Sequence, residues 1–561
     1  MSLLRPMNRL VARAIFLFCL FPAVATAQGG PGPGPGPGPG GTTLTVFETD
    51  DFSGSGICAT CHSRLTDEAG HNVSNDAHWR STMMANAAKD PLWKAKISSE
   101  VARNPQVKSI IEDKCSRCHT GMARYQAKTD GTPPVEVLAP GGFLDPANSL
   151  HEAAMDGVAC TLCHQVQPVG LGTPDSYTGK YVIDTETFPP DRLIFGPYDN
   201  QFGNPMRQSS GFNAVPGAQI QSSAHCGSCH TLYTPALDAS GTYLDYEFPE
   251  QTTYLEWEHS QFARTCQDCH LPDAVGSVVI SNRPPRLAAR TPFGQHHFVG
   301  GNSFMVNMLK SNAATLGVTA DAVHFDDTIF RTLFQLKQDT ARVTVFDTDR
   351  GTDLLTVTVD VENLAGHKLP SGLPSRRAWL HLVVSKPGGA VVFESGRPLP
   401  EGGIEGNDAE NPDPASLPYE PHYDDVITSW DQVQIYEPIM LTYEGGVTHT
   451  LLRAYSYVKD NRLLPAGFDK ATAHDDFAVW GSAAGDPDFI GGSDRVVYEI
   501  PITGINGSLD VSVELLYQTV SNTFIDDLES TPTDLVADFM AMYNPTENQP
   551  VALAQDAQAV P

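Results

Sequence analysis

The stretch MDGVACTLCHQV, Met155–Val166, places two cysteines three positions apart with a histidine directly after the second. Taken alone it suits a zinc clip, a redox dithiol, a disulfide or a haem attachment site. Its recurrence decides among them. The same unit stands at Cys58, Cys61, His62; at Cys115, Cys118, His119; at Cys160, Cys163, His164; at Cys226, Cys229, His230; and at Cys266, Cys269, His270. These five units hold ten of the eleven cysteines; the eleventh is Cys19. A zinc site needs no histidine after each pair, a thioredoxin-like dithiol occurs once, and disulfides need no histidine at all. In c-type attachment two thiols add across the two vinyl groups of one haem, and the adjacent imidazole takes the iron as proximal ligand. The expectation is five covalent haem c groups, held by Cys58, Cys61, Cys115, Cys118, Cys160, Cys163, Cys226, Cys229, Cys266 and Cys269. Their proximal iron ligands are His62, His119, His164, His230 and His270.

Cys19 belongs to the other end of the argument. Arg5, Arg9 and Arg13 precede the apolar run AIFLFCLFPAV, which is too short to cross a bilayer, and the small residues Ala25–Ala27 follow. This reads as a cleavable export signal over residues 1–27 that discards Cys19. Later in the chain no apolar run is long enough to cross a membrane. The mature protein is therefore placed in the periplasm or outside the cell. The chain has 561 residues, with 36 Lys+Arg against 66 Asp+Glu and a formal net charge of −30. Such an acidic balance argues against nucleic acid, whose phosphates demand clustered cations.

A bound haem iron needs a sixth ligand or an open position. Two imidazoles saturate it for electron transfer, whereas an open position admits substrate. Residues 28–310 hold seven non-proximal histidines. His151 lies in LHEAAMDGVAC, a short helical stretch that enters the unit at Cys160. His259 lies in YLEWEHSQFARTCQDCH. His78 lies in AHWRSTMM, where Met83 or Met84 is an alternative thioether ligand. His296 and His297 form the pair in GQHHFVGGN, and His225 precedes Cys226. His71, in a polar loop, reads as solvated. Beyond them His367, in the Gly/Pro-rich GHKLPSG loop, is a candidate to reach back to a haem.

Composition divides the chain. Residues 28–45 are a Gly/Pro-rich linker. Residues 46–335 carry every haem unit on short helical pieces between Gly- and Pro-rich loops, as suits a polypeptide wrapped around porphyrins. Over 336–525 the period changes to two: LLTVTVDVEN alternates Val357, Val359 and Val361, and AWLHLVVS, AVVFES, DQVQIYEPIM, DRVVYEIPIT and LDVSVELLYQ are further strands. The fold class is α+β multidomain: a short-helix, loop-rich multihaem cytochrome domain followed by a β-sandwich domain. Residues 526–561 read as a flexible tail. The acidic loops EGNDAENPDP and HDDF are candidate Ca²⁺ sites through oxygen ligands.

The segments DGVACTLCHQV, CGSCHTLYT, EQTTYLEWEHSQFARTCQDCHLP, HHFVGGN and GHKLPSGLPSRRAWLHL resemble multihaem c-type cytochromes of the cytochrome c-554 type, over most of residues 50–520. The resemblance implies electron transfer through closely packed, largely bis-histidine haems in an exported bacterial protein, and ligation by His367. The related hydroxylamine oxidoreductases and pentahaem nitrite reductases share haem packing but are enzymes. The nitrite reductases carry a lysine at the active haem, whereas all five units here end in histidine. Expected partners are redox proteins or a terminal electron acceptor, with the oligomeric state left open. The competing class is an oxidoreductase acting on a small nitrogen or sulfur compound at one open haem. A third is a filament-forming cytochrome.

Overall fold

Alternation of Val357, Val359 and Val361 builds one face of an apolar core. In a computed structural model that describes residues 43–132, 134–413 and 415–561, the strand Leu354–Asn363 buries these three valines completely and leaves the intervening polar residues partly exposed. It is the centre of a three-stranded antiparallel sheet with Ala341–Arg350 and Ser493–Pro501 on either side. A second sheet runs in the order Val551–Val560, Leu509–Gln518, Arg377–Ser385, Val391–Ser395, and the short Ile435–Tyr436 strand also pairs with Arg377–Ser385. The two sheets pack face to face: Val343, Val359 and Val496 of the first share one core with Leu382, Val513 and Leu553 of the second. The expected sandwich is present.

Two expectations are corrected. The segment DQVQIYEPIM is not one strand. Pro438 interrupts it, and Pro438–Thr442 joins Val447–Thr448 and Ala454–Asp460 in a separate sheet. The segment 526–561 is not a flexible tail. Helices Asn522–Glu529 and Asp534–Tyr543 bury Phe524, Leu528 and Phe539 against Leu92, Phe304, Met305 and Met308, and Val551–Val560 completes an edge of the second sheet. Its sequence, VALAQDAQAV, is too poor in β-branched and aromatic residues to announce a strand; register with Leu509–Gln518 supplies what propensity does not.

The residues before 340 carry short helices, among them Ser55–His62, Asn75–Trp79, Pro91–Arg103, Lys108–His119, His151–Met155, Ser223–Gly227, Thr253–Glu258, Cys266–His270, Ser303–Ser311 and Ala322–Gln338. Asp90 caps Pro91–Arg103 by accepting from the Leu92 N–H, with Pro91 pre-set in the first turn. A small parallel pair, Arg192–Gly196 with Phe212–Pro216, and the hairpin Leu232–Leu237 with Tyr243–Gln251 are the strands of this half. The Pro438–Asp460 sheet closes onto the hairpin: Phe248 and Tyr457 lie 4.8 Å apart and the Tyr457 hydroxyl donates to the Pro249 carbonyl at 2.9 Å. The core is therefore continuous from Leu44 to Tyr457 rather than split at 335. No helix among the described residues is long and apolar enough to cross a membrane. The export signal with Cys19, and the linker up to residue 42, lie outside the described residues.

Candidate functional site

A C-x-x-C pair on a helix places both thiols on one face, because residues three apart are neighbours there. The units use this. Ser55–His62, Lys108–His119, Cys160–Cys163 and Cys266–His270 hold both cysteines of their units, and Ser223–Gly227 ends within the fourth, after Cys226. The Cys266–His270 helix opens on a reciprocal capping box between Thr265 and Asp268. No two of these ten cysteines form a disulfide. They neighbour one another across units: Cys58 influences Cys160, Cys118 influences Cys229, and Cys226 influences Cys266.

The imidazoles are prepared in a common way. Nδ1 of His62 lies 2.8 Å from the Ile280 carbonyl, that of His119 3.0 Å from Ala87, that of His164 2.7 Å from Phe195, and that of His270 2.6 Å from Val299. A carbonyl only accepts, so each Nδ1 carries the proton and each Nε2 keeps a free lone pair. Metal-bound imidazoles are oriented by such a second bond. Two of these bonds are half of a clamp: the Phe195 N–H donates to the His164 carbonyl at 2.7 Å, and the Phe298 N–H to the His270 carbonyl at 2.8 Å. His119 is also held by Trp93, stacked on it at 4.5 Å with planes 3° apart. Burial lowers the pKa of all five, to about 4 for His119 and His270, so they are neutral imidazoles at pH 7. His230 has no such carbonyl among the described residues; the charges of Arg376 and His367 reach it and, after burial, lower its pKa further.

The remaining candidates separate by the same criterion. His296 faces His164 with ring centroids 6.3 Å apart and planes at 22°. Two imidazoles on opposite sides of one metal, with bonds of about 2 Å each and ring radii of about 1.2 Å, sit roughly 6 Å apart. This spacing fits a haem iron between them, and burial holds His296 neutral with a pKa of about 3. His151 and His367 are locked in the same tautomer, Nδ1 against the carbonyls of Phe143 at 2.9 Å and Lys368 at 2.8 Å. His367 stands beside both His230 and His270. His225 is half-buried, with a buried Nδ1 that has no partner among the described residues, and the charge of His164 reaches it. His78 has both ring nitrogens buried, and the buried Nε2 of His297 has no hydrogen-bond partner among the described residues. These two rings meet edge to face at 4.7 Å, too close for opposite sides of one iron, and Arg331 lowers the pKa of both after burial does. Unpartnered buried imidazole nitrogens are what an iron would satisfy.

Some expectations are corrected. His259 is not brought into this set: its Nε2 is taken by the Asp469 carbonyl at 3.0 Å, and its ring packs on Phe468 and Phe477. The Met83 side chain packs into the apolar clusters around Leu92 and Phe325 instead of offering a thioether. His71 pairs with Asp67 at 3.1 Å, half-exposed, as its loop suggested. The acidic loops do not converge on a Ca²⁺ site. Glu405 is held by Arg397, Glu410 by Arg377 at 2.7 Å, and Asp476 by the Tyr233 hydroxyl at 2.5 Å. A buried trio elsewhere, His422, Asp486 and Asp494, has ligand atoms within 4.8 Å of one another. Its hydrogen bonds are incompatible with ligation by His422. The amides of Gln434 and Asn461, oriented by the N–H groups of Tyr423 and Glu437, both donate to His422 Nδ1. Nε2 must then carry the proton, which it gives to Asp486 at 2.9 Å.

Sequence reasoning missed the carbonyl acceptors, since a backbone oxygen has no letter. It also missed a buried charge quartet behind the GHKLP loop. Lys368 and Arg462 each meet Asp460 at 2.8 Å, Arg462 meets Glu256 at 2.8 Å, and Glu256 accepts from the Lys368 N–H and the Ser371 hydroxyl. Glu256 lies two residues after Tyr254 on the helix leading to the fifth unit, so the quartet ties His367 to that region.

No family model matches the chain, and no curated protein matches it. One solved structure, a penta-heme cytochrome c552 from Thermochromatium tepidum, is similar at 15% identity with a TM-score of 0.47, covering 90% of this chain and 98% of that one.

Proposed function

We propose that this chain is an exported pentahaem c-type cytochrome that carries electrons through closely packed, mainly bis-histidine haems. Residues 1–27 are its export signal and residues from about 46 to 335 its haem-bearing part. The observation that carries the reading is the agreement of two independent features. Five C-x-x-C-H units occur, and four of their five histidines are held with Nδ1 against a carbonyl and Nε2 free. The mutual influence of the cysteines of the first and third, second and fourth, and fourth and fifth units supports close packing of the haems. Haem c supplies one-electron exchange when attached. The chain's residues set its surroundings: His296 opposite His164, with His151, His225, His367 and one of His78 and His297 as further sixth ligands. The sandwich, through the Lys368–Asp460–Arg462–Glu256 quartet, holds His367 in place.

A second reading has one observation in its favour. His78, His297 and Arg331 form a buried cluster with one imidazole more than a single iron needs on that side. An open position there would accept a small nitrogen or sulfur compound. Mass spectrometry of the mature protein tests the foundation: five haem equivalents are expected, and fewer refute the count. Electron paramagnetic resonance separates the readings. Low-spin signals alone support the electron carrier; a high-spin signal that changes on adding nitrite or hydroxylamine supports the second reading.

A further inference from the structure

Acidic residues outnumber basic ones by 66 to 36 in this chain, yet from Ala274 to Ala320 it has no Asp or Glu and four cations, Arg283, Arg286, Arg290 and Lys310. The structure puts two of these, Arg283 and Arg286, on a loop beside the first unit. The Asn282 N–H donates to the Cys61 carbonyl at 2.8 Å, its side-chain amide donates to the Ser63 carbonyl at 2.9 Å, and Ile280 supplies the carbonyl that holds His62. Arg283 follows Asn282 and Arg64 follows Ser63, so the two arginines flank one hydrogen-bonded junction. Arg286 stands at the tip of the same loop, which the Val278–Arg290 bridge closes. Arg64, Arg283 and Arg286 are all exposed. Arg283 and Arg286 form no ion pair among the described residues, whereas Lys310 is spent on Asp326 and Arg290 on the Asn200 carbonyl and the Tyr198 ring.

Two further features mark the surface. Val275 and Val279, on the strip that leads into the loop, are 56% and 41% exposed. The one carboxylate bound to that strip, Glu68, is occupied by the Ser277 N–H and hydroxyl. Arg64 and Arg286 sit at φ +57° and +71°, a region that costs a side-chain-bearing residue energy unless the fold imposes it. Thr60, between the two cysteines of the first unit, is exposed, so the unit reaches the surface there. An apolar centre with a cationic rim is the make-up of a transient docking surface.

We infer that the Arg64–Arg283–Arg286 edge of the first C-x-x-C-H unit is the port at which an acidic, carboxylate-bearing redox protein docks and exchanges electrons with this one. This rests on the pentahaem reading. On a body of net charge −30 an anion is repelled over most of the surface and is admitted at this edge. The exchange is a one-electron transfer in which the reduced haem is oxidised and the partner's centre reduced, with no bond made or broken.

The test uses the full-length holoprotein, reduced and mixed in stopped flow with ferricyanide as anionic probe and with tris(phenanthroline)cobalt(III) as cationic probe. At low ionic strength the Arg283→Glu, Arg286→Glu double variant is expected to slow the ferricyanide reaction about tenfold and to speed the cobalt reaction. Arg283→Gln, Arg286→Gln should fall between. Both differences should vanish at about 0.5 M salt, where screening is nearly complete. Equal low-salt rates would overturn the port. So would a slowing that persists at high salt, which would assign the arginines to a structural role such as holding haem carboxylates. The haem count by mass is taken first on each protein: fewer than five haems in the parent protein refutes the pentahaem reading, whereas five haems with unchanged rates refutes the port alone.

Discussion

Replacing Asp460 with Asn isolates the buried quartet that holds the His367 loop. Lys368, Asp460 and Glu256 are at most 1% exposed, and Arg462 is at 5%. Burial pushes the Asp460 carboxyl up, but Arg462 and Lys368 more than offset it and bring its pKa to about 2 from an ordinary 3.8. Such a depression is worth about 2 kcal/mol of folding stability. It is fully present above pH 3.8, the unfolded value, and is lost as the pH falls towards 2. The substitution removes more than this. It leaves the Lys368 ammonium with the Ala478 carbonyl as its remaining described hydrogen bond and the quartet one negative charge short. Breaking a buried pair in this way costs about 3–5 kcal/mol. Guanidinium unfolding of the holoprotein, followed by far-ultraviolet circular dichroism and by the Soret band, should show an earlier transition at pH 7 in Asp460→Asn. The parent protein should lose stability between about pH 4 and pH 2, and the variant should lose less over that range. The Soret band should shift as well, because the Lys368 carbonyl holds His367 Nδ1. An unchanged transition at pH 7, or the same acid dependence in both proteins, would refute the reasoning.

Other outcomes follow from the geometry. His296→Ala should convert one low-spin haem to high spin in the oxidised protein, whereas His259→Ala, whose Nε2 is already bonded to Asp469, should leave the paramagnetic resonance spectrum unchanged. Gly179→Ala should lower haem incorporation at the second unit. A Cβ at this position, with φ +65°, would lie 2.6 Å from Arg117 Cβ and 3.2 Å from the Cys118 sulfur, a strain of about 1–3 kcal/mol next to an attachment thiol. Removing residues 547–561 strips the edge strand and the buried Leu553 and Val560, both 2% exposed, from the sandwich. Each such side chain contributes about 1.5–3 kcal/mol on burial, so the thermal midpoint should fall by several degrees; an unchanged midpoint would restore the flexible-tail reading.

What was legible in the sequence was whatever repeats or alternates. The five C-x-x-C-H units could be found because the chemistry of attachment dictates residue types at fixed spacing, and helix geometry presents such a spacing on one face. The valines of Leu354–Asn363 were legible because a half-buried strand must alternate. The strand Val551–Val560 was not, since its pairing comes from the neighbouring Leu509–Gln518 and not from its own alanine-rich letters. The sorting of the histidines was not legible either. His259, beside an attachment unit in sequence, is turned to Asp469, while His296, over a hundred residues from Cys163, faces His164. Whether an imidazole offers Nε2 depends on which carbonyl meets its Nδ1, and carbonyls such as those of Ile280, Phe195 and Val299 are the same in every residue. The sequence by itself determined the number of C-x-x-C-H units and the presence of a sandwich, because both are written in side-chain type and period. Only the tertiary structure decided which histidines face those sites and how the GHKLP loop is held, because that depends on backbone groups and buried charges brought together from distant parts of the chain.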